Sequence, residues 1–220
     1  MKIVFYFGGY RNADSFPIFL NLFPVCFMQI FYCHSVQMAE LHLIGQLVGA
    51  IDFSSGSCLF CKWSVSAGGS WRLLGGAESG QTQTAAGTMV TGSESGQWFW
   101  SHPIDVHYAT KGVQGWPKLM CQVFHLDLHG RCVLEGYGVT HFPASPGLHQ
   151  VTIPCWKPCS GSLKDQLVKT FLGGSVVLRN PQMAAGPEDR YKLKTSGSGS
   201  VLVEINVISR HFNKFGVHLG

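Results

Sequence analysis

WSHPIDVHYATKGVQGWP, from Trp100 to Pro117, sets His102, Asp105, His107, Tyr108 and Lys111 between two tryptophans. These side chains bind metals, move protons and grip phosphates. Two cysteine pairs add a second chemistry, since Cys58-Leu-Phe-Cys61 and Cys155-Trp-Lys-Pro-Cys159 have the look of zinc-ligand pairs. Each needs a particular local geometry. If PIDVHY is a strand, Ile104, Val106 and Tyr108 face one way, while Asp105 and His107 sit side by side on the other and His102 has the opposite parity to them. Cys58 and Cys61 also fall in a strand-like run, where an odd separation sends the two thiols to opposite faces unless a bulge intervenes. A dyad at Asp105 and His107 would further need a nucleophile or metal from elsewhere. The chain offers no GxSxG elbow, HExxH helix or glycine-rich phosphate loop opening a helix. The expectation is no catalytic residue, no bound metal and no cofactor, with Trp116 in the KGVQGWP turn serving packing or assembly.

The elements that position these residues follow from alternation. ELHLIGQLVGA, SCLFCKWSVSAG, WFWSHPIDVHYAT, KLMCQVFHLDLHG, CVLEGYGVTHFP, GLHQVTIPCW and SVLVEINVISRHF alternate apolar and polar residues between Gly, Pro, Ser and Asn clusters, the pattern of a β-sandwich. Leu59, Cys61, Trp63 and Val65 share one apolar face, as do Val201, Val203, Ile205 and Val207. One helix is expected in SLKDQLVKTFLGG. Ser162 caps it, Asp165 lies near its positive end, Leu163, Leu167 and Phe171 form a stripe, and Gly173 stops it. TSGSGS, from Thr195, reads as a hairpin loop. The fold class is therefore all-β, an antiparallel sandwich with one short helix.

Composition bounds the rest. In 220 residues only 13% are charged and the formal charge is +4, with no lysine or arginine block, so nucleic acid is not an expected partner. Eight cysteines without framework spacing read as reduced thiols. Residues 1–37 differ in composition from the remainder of the chain. Their apolar run at 16–33 is interrupted by Pro17, Asn21, Pro24 and Gln29, which weakens it as a membrane span, and the fold is expected to open at Met38.

FCKWSV, WSHPIDVHYATKGVQGWPKL, GRCVLEGYGVTHFPASPGLHQV and the closing ISRHFNKFGV, with the GG-containing helix end, together resemble the B9-domain family from Met38 to about Val217. Residues 1–37 have no counterpart in the family pattern, so the chain divides into a non-family extension and a domain at 38–217. The resemblance implies a C2-like sandwich. It also implies a non-enzymatic component of the tectonic-like (Meckel syndrome) complex at the ciliary transition zone, supporting cilium assembly and the diffusion barrier between ciliary and plasma membranes. The partners it implies are B9 domain-containing protein 1, the Meckel syndrome type 1 protein and other transition-zone components. The locations it implies are cytoplasmic, at the ciliary base: basal body, transition zone and axoneme. Many C2 domains bind calcium, which needs six to eight oxygens; Asp52, Asp105, Asp127, Asp165 and Asp189 stand singly, so no calcium cup is expected. Attachment then falls to protein partners, or alternatively to weak, calcium-independent contact with anionic lipid. RYKLK and SRHFNKF concentrate charge with aromatics, which makes Arg190, Lys192, Lys194, Arg210 and Lys214 candidate interface residues beside Trp116, Asp105 and His107.

Overall fold

The computed structural model describes residues 38–54, 58–89, 96–127, 130–159, 177–186 and 193–219. The stretch at 1–37, the expected helix at 162–174, and Arg190 and Lys192 lie outside them.

Alternation builds long antiparallel strands. They are β1 (Ala39–Ile51), β2 (Leu59–Ser66), β3 (Trp71–Gly76), β4 (Ser79–Gln81), β5 (Thr88–Met89), β6 (Gly96–Thr110), β7 (Lys118–Leu126), β8 (Cys132–His141), β9 (Gly147–Pro158) and β10 (Thr195–Arg210). The hydrogen-bonded order β3-β6-β1-β10-β9-β8-β7-β2-β4 runs through every strand but β5, which pairs with β6. That order folds over between β9 and β8, which share only the pairs Tyr137 with Trp156 and Gly138 with Cys155. Two layers result, β3-β6-β1-β10-β9 facing β8-β7-β2-β4. The facing is direct: the Trp100 indole N–H on β6 donates to the Leu59 carbonyl on β2 at 3.1 Å, and the Trp63 ring of β2 lies 6.0 Å from that of His102.

The inner faces are those the pattern predicts. Leu59, Cys61, Trp63 and Val65 are buried, as are Ile104, Val106 and Tyr108 and the run Val201, Val203, Ile205 and Val207. Phe60 departs from the pattern. It lies on the outer face of the second layer yet is buried, stacked at 5.4 Å on Phe124. Nearby on that layer Met120, Leu134, Tyr137 and Ala184 form a smaller core covered by residues 177–186, whose Leu178 N–H donates to the Tyr137 hydroxyl.

TSGSGS corrects the expectation of a hairpin loop. It is the opening of β10, where Thr195, Ser196 and Gly197 pair with Pro158, Lys157 and Trp156 before an irregularity leads to Ser200. Serine and glycine carry little strand preference, so the pairing is imposed by β9 rather than by local propensity. A second bulge lies in β8: Val123 pairs with Gly136 and Phe124 with Leu134, leaving Glu135 out of register.

Among the described residues, the border of β6 between β3 and β5 has no strand partner. β3 covers residues 106–110 of β6 and β5 covers 96–97. In between, the Gln83 side chain donates to the Trp100 carbonyl at 2.6 Å, Ser101 adopts a left-handed φ of 46°, and Pro103 has no N–H to offer.

Candidate functional site

Register brings the polar residues of the tryptophan-flanked segment onto the outer face of the first layer. His107 of β6 stands opposite His42 of β1, and Glu40 of β1 stands opposite Arg210 of β10. The two imidazoles stack at 4.8 Å between ring centres. Each meets a carboxylate on the neighbouring strand: His42 Nε2 lies 2.7 Å from Asp105 Oδ1 and His107 Nε2 lies 3.5 Å from Glu40 Oε2. Arg210 reaches the same Glu40 at 3.9 Å. Beside this ladder Ile44 and Ile208 remain 39% and 45% exposed, and Leu148, across Asn206 from Ile44, is 64% exposed.

Nothing in this geometry is arranged for bond making. His102 is half-buried on the inner side, and burial pushes its pKa down, so it stays neutral there. Tyr108 donates its hydroxyl to Glu78 at 3.0 Å, and burial, with Glu78 adding to it, holds the phenol protonated. The remaining pair, Asp105 and His107, share a face, but each is matched to a side chain of β1 rather than to the other.

The cysteine pairs separate. Cys61 and Cys155 are buried in the main core with Cys121, while Cys58 and Cys159 lie just outside the strands. A hydrogen bond to the Cys61 thiol, together with burial, pushes Cys121 well above the ordinary thiol range, and burial does the same to Cys155. Protonated core thiols neither attack nor bind metal. Among the described residues no group of three or more His, Cys, Asp or Glu side chains could hold a metal ion.

The other candidate residues are dispersed. Trp116 is half-buried, edge-on to Trp71 at 5.2 Å, 6.3 Å from Phe212, and donates its indole N–H to the Phe142 carbonyl at 2.8 Å. It closes the core at the end where β6 passes to β7. Lys214 lies at the same end, in the 3-10 turn Phe212–Phe215 that follows β10. Lys194 lies at the opposite end, just before Thr195, where its carbonyl accepts the Cys159 N–H at 2.8 Å.

One polar cluster was not anticipated. Glu135, buried and out of register in its bulge, places Oε1 2.7 Å from His125 Nδ1 and Oε2 3.4 Å from Lys157 Nζ. Its carbonyl accepts the Ser198 hydroxyl at 2.8 Å, so the bulges of β8 and β10 satisfy each other. The only sequence signal was a glutamate inside the apolar run CVLEGYGV. This cluster caps one end of the core.

A family model described as "Ciliary basal body-associated, B9 protein" matches residues 41–208. The chain belongs to the B9 protein family. B9 domain-containing protein 2 of Danio rerio is 52% identical over 180 residues, covering 82% of this chain and 99% of that protein. The Homo sapiens protein of that name is 47% identical over the same length and coverage. A sister B9 protein, B9 domain-containing protein 1 of Xenopus laevis, is 30% identical over 182 residues, 82% of this chain and 89% of that one. Among solved structures, a C2 domain of plant Extended Synaptotagmin 1 superposes with a TM-score of 0.42 at 12% identity, covering 78% of this chain and 95% of that domain. As a B9 protein the chain has a ciliary role, in a family not known for enzymatic activity. The B9 fold here is the all-β, C2-like sandwich expected from alternation and resemblance.

Proposed function

We propose that the chain is a non-enzymatic scaffold of the tectonic-like (Meckel syndrome) complex at the ciliary transition zone. In this reading it binds the sister proteins B9 domain-containing protein 1 and the Meckel syndrome type 1 protein through the outer face of β6-β1-β10. Scaffolding of that kind would support cilium assembly and the diffusion barrier between ciliary and plasma membranes. The observation that carries the proposal is the pairing of Ile44 and Ile208, both exposed, with a fixed ladder of His42, Asp105, His107, Glu40 and Arg210. An apolar centre framed by already satisfied charges is the composition of a protein interface, where aliphatic and aromatic contacts supply affinity and charges set register.

The test is co-purification of the three B9 proteins with Ile44→Glu and Ile208→Glu introduced together. The expected result is an unchanged melting transition and loss of both partners. Capture at the unmodified level by a folded double variant overturns the assignment of this face.

A further inference from the structure

We infer that the pocket around Glu204 receives an arginine side chain of the protein that binds the outer face. This rests on the reading that the outer face of β6-β1-β10 captures the sister B9 proteins, and extends that contact onto β9. The carboxylates of the ladder are matched within the chain, Asp105 to His42 and Glu40 to His107 and Arg210. Glu204 of β10 is not. It is half-buried, and among the described residues it has no ion-pair partner. Register sets it between Gln46 of β1 and Gln150 of β9, so neutral amides flank it on both sides. A carboxylate partly withdrawn from water without a counter-charge is unfavourable, and a partner that supplies the cation removes that penalty.

The cavity at Glu204 selects which cation. It holds about 200 Å³ and is lined by Val48, Gln150, Thr152, Leu202 and Glu204. The bulge of β1 shapes its wall: the register passes from Leu47 to Gly49, leaving Val48 out of the ladder. Small-molecule pockets begin at roughly 300 Å³, so this one suits a single side chain carried by a protein. Its wall is aliphatic at Val48 and Leu202 and ends on a carboxylate with amides to either side. Arginine fits both parts. Its methylene stem covers the valine and the leucine, and its planar fork of N–H donors meets the carboxylate bidentately with donors left for the glutamine oxygens. Lysine brings one compact ammonium and leaves the flanking acceptors unused. A metal ion needs several charged oxygens, and the pocket offers one carboxylate.

Glu204→Gln keeps the shape of the pocket and deletes its charge. Affinities of the full chain for purified B9 domain-containing protein 1 and for the Meckel syndrome type 1 protein, measured separately at low and high salt, test the inference. The expected result is weakening by at least about tenfold toward one of the two, with a flatter salt dependence. The melting temperature of Glu204→Gln should be no lower than that of the unmodified chain, because no partner within the chain is lost. Glu204→Arg should lose the same protein, and one arginine-to-glutamate change in that protein should restore binding. Unchanged affinity of Glu204→Gln for both proteins overturns the inference, as does a lowered melting temperature, which places the counter-charge inside the chain. Restoration by a lysine-to-glutamate change alone overturns the choice of arginine. Loss of capture by the Ile44 and Ile208 variant, with Glu204→Gln binding normally, leaves the scaffold face standing without the pocket. Capture kept by the isoleucine variant and weakened by Glu204→Gln leaves the pocket standing without that apolar centre. If neither protein binds the unmodified chain, both fall.

Discussion

Glu135 Oε1 lies 2.7 Å from His125 Nδ1, one strand over, with both side chains mostly withdrawn from solvent at 10% and 18% exposure. The bulge that takes Glu135 out of the β8 ladder turns its carboxylate toward His125 and Lys157 at the end of the core. Glu135→Leu leaves Lys157 without its counter-charge and removes the carboxylate beside the His125 ring. The expected cost is about 2 kcal/mol, below the 3–5 typical of a fully buried pair because Lys157 still reaches water. Denaturant midpoints measure it, and a loss under about 0.5 kcal/mol would show that the cluster is inert.

Trp116→Ala removes a ring wedged against Trp71 and Phe212 and should destabilise by about 3 kcal/mol. Trp116→Phe keeps a ring but loses the bond to the Phe142 carbonyl, costing about 1 kcal/mol. Asp105→Asn with His107→Gln should stay within about 0.5 kcal/mol per site, since Asp105 is exposed and His42, His107 and Glu40 still reach solvent as half-buried side chains. If that polar pair abolishes capture of the sister B9 proteins while melting normally, the ladder itself takes part in binding alongside Ile44 and Ile208.

Alkaline pH should weaken the fold through the core thiols. Cys121 and Cys155 are held above their ordinary value of 9.0, Cys121 by its bond to Cys61 and Cys155 by burial. Below that value folded and unfolded chains both keep the protons, and the stability is fully present. Above it the unfolded chain releases protons that the folded chain retains, so stability falls as pH rises. The slope is about 1.4 kcal/mol per thiol per pH unit. Unfolding midpoints between about pH 8 and about pH 10 should fall less steeply in Cys155→Ala than in the unmodified chain; parallel slopes would contradict the assignment.

Gly138 lies between the two layers' joining strands, and a Cβ there would meet Cys155 Sγ at 2.8 Å and Ile153 Cγ2 at 2.9 Å. Gly138→Ala should cost about 1–3 kcal/mol by overpacking. Adding Cys155→Ala should recover part of that loss, and a double-mutant cycle reads the coupling. Strict additivity would place the strain elsewhere.

A chain beginning at Met38 should melt as a single cooperative transition, because β1 opens at Ala39 and its edges are paired by β6 and β10. A broadened or absent transition would assign residues 1–37 a structural part.

The strands that carry the core were legible because each has one buried face and therefore a period of two; Ile104, Val106 and Tyr108 are a direct example. β3, β4 and β5 were not read from the pattern. WRLLGG, SGQ and TM are too short to alternate, and WRLLGG buries only Trp71. The parity of Asp105 and His107 was legible, but their partners His42 and Glu40 were not, since pairing depends on a register that links residues more than sixty positions apart. Glu135 was missed for a related reason: a bulge is fixed by what the neighbouring strand and Ser198 require, and leaves only an isolated acid in the sequence.

The uncovered stretch of β6 has a consequence for crowding. Bare strand borders are where sheets of separate molecules add to one another and polymerise. Here Pro103 withholds a donor, the left-handed Ser101 bends the border, and Gln83 occupies the Trp100 carbonyl. Copies held at high local density are thereby kept from stitching backbone to backbone into fibres, and meet through side-chain surfaces, which can let go again.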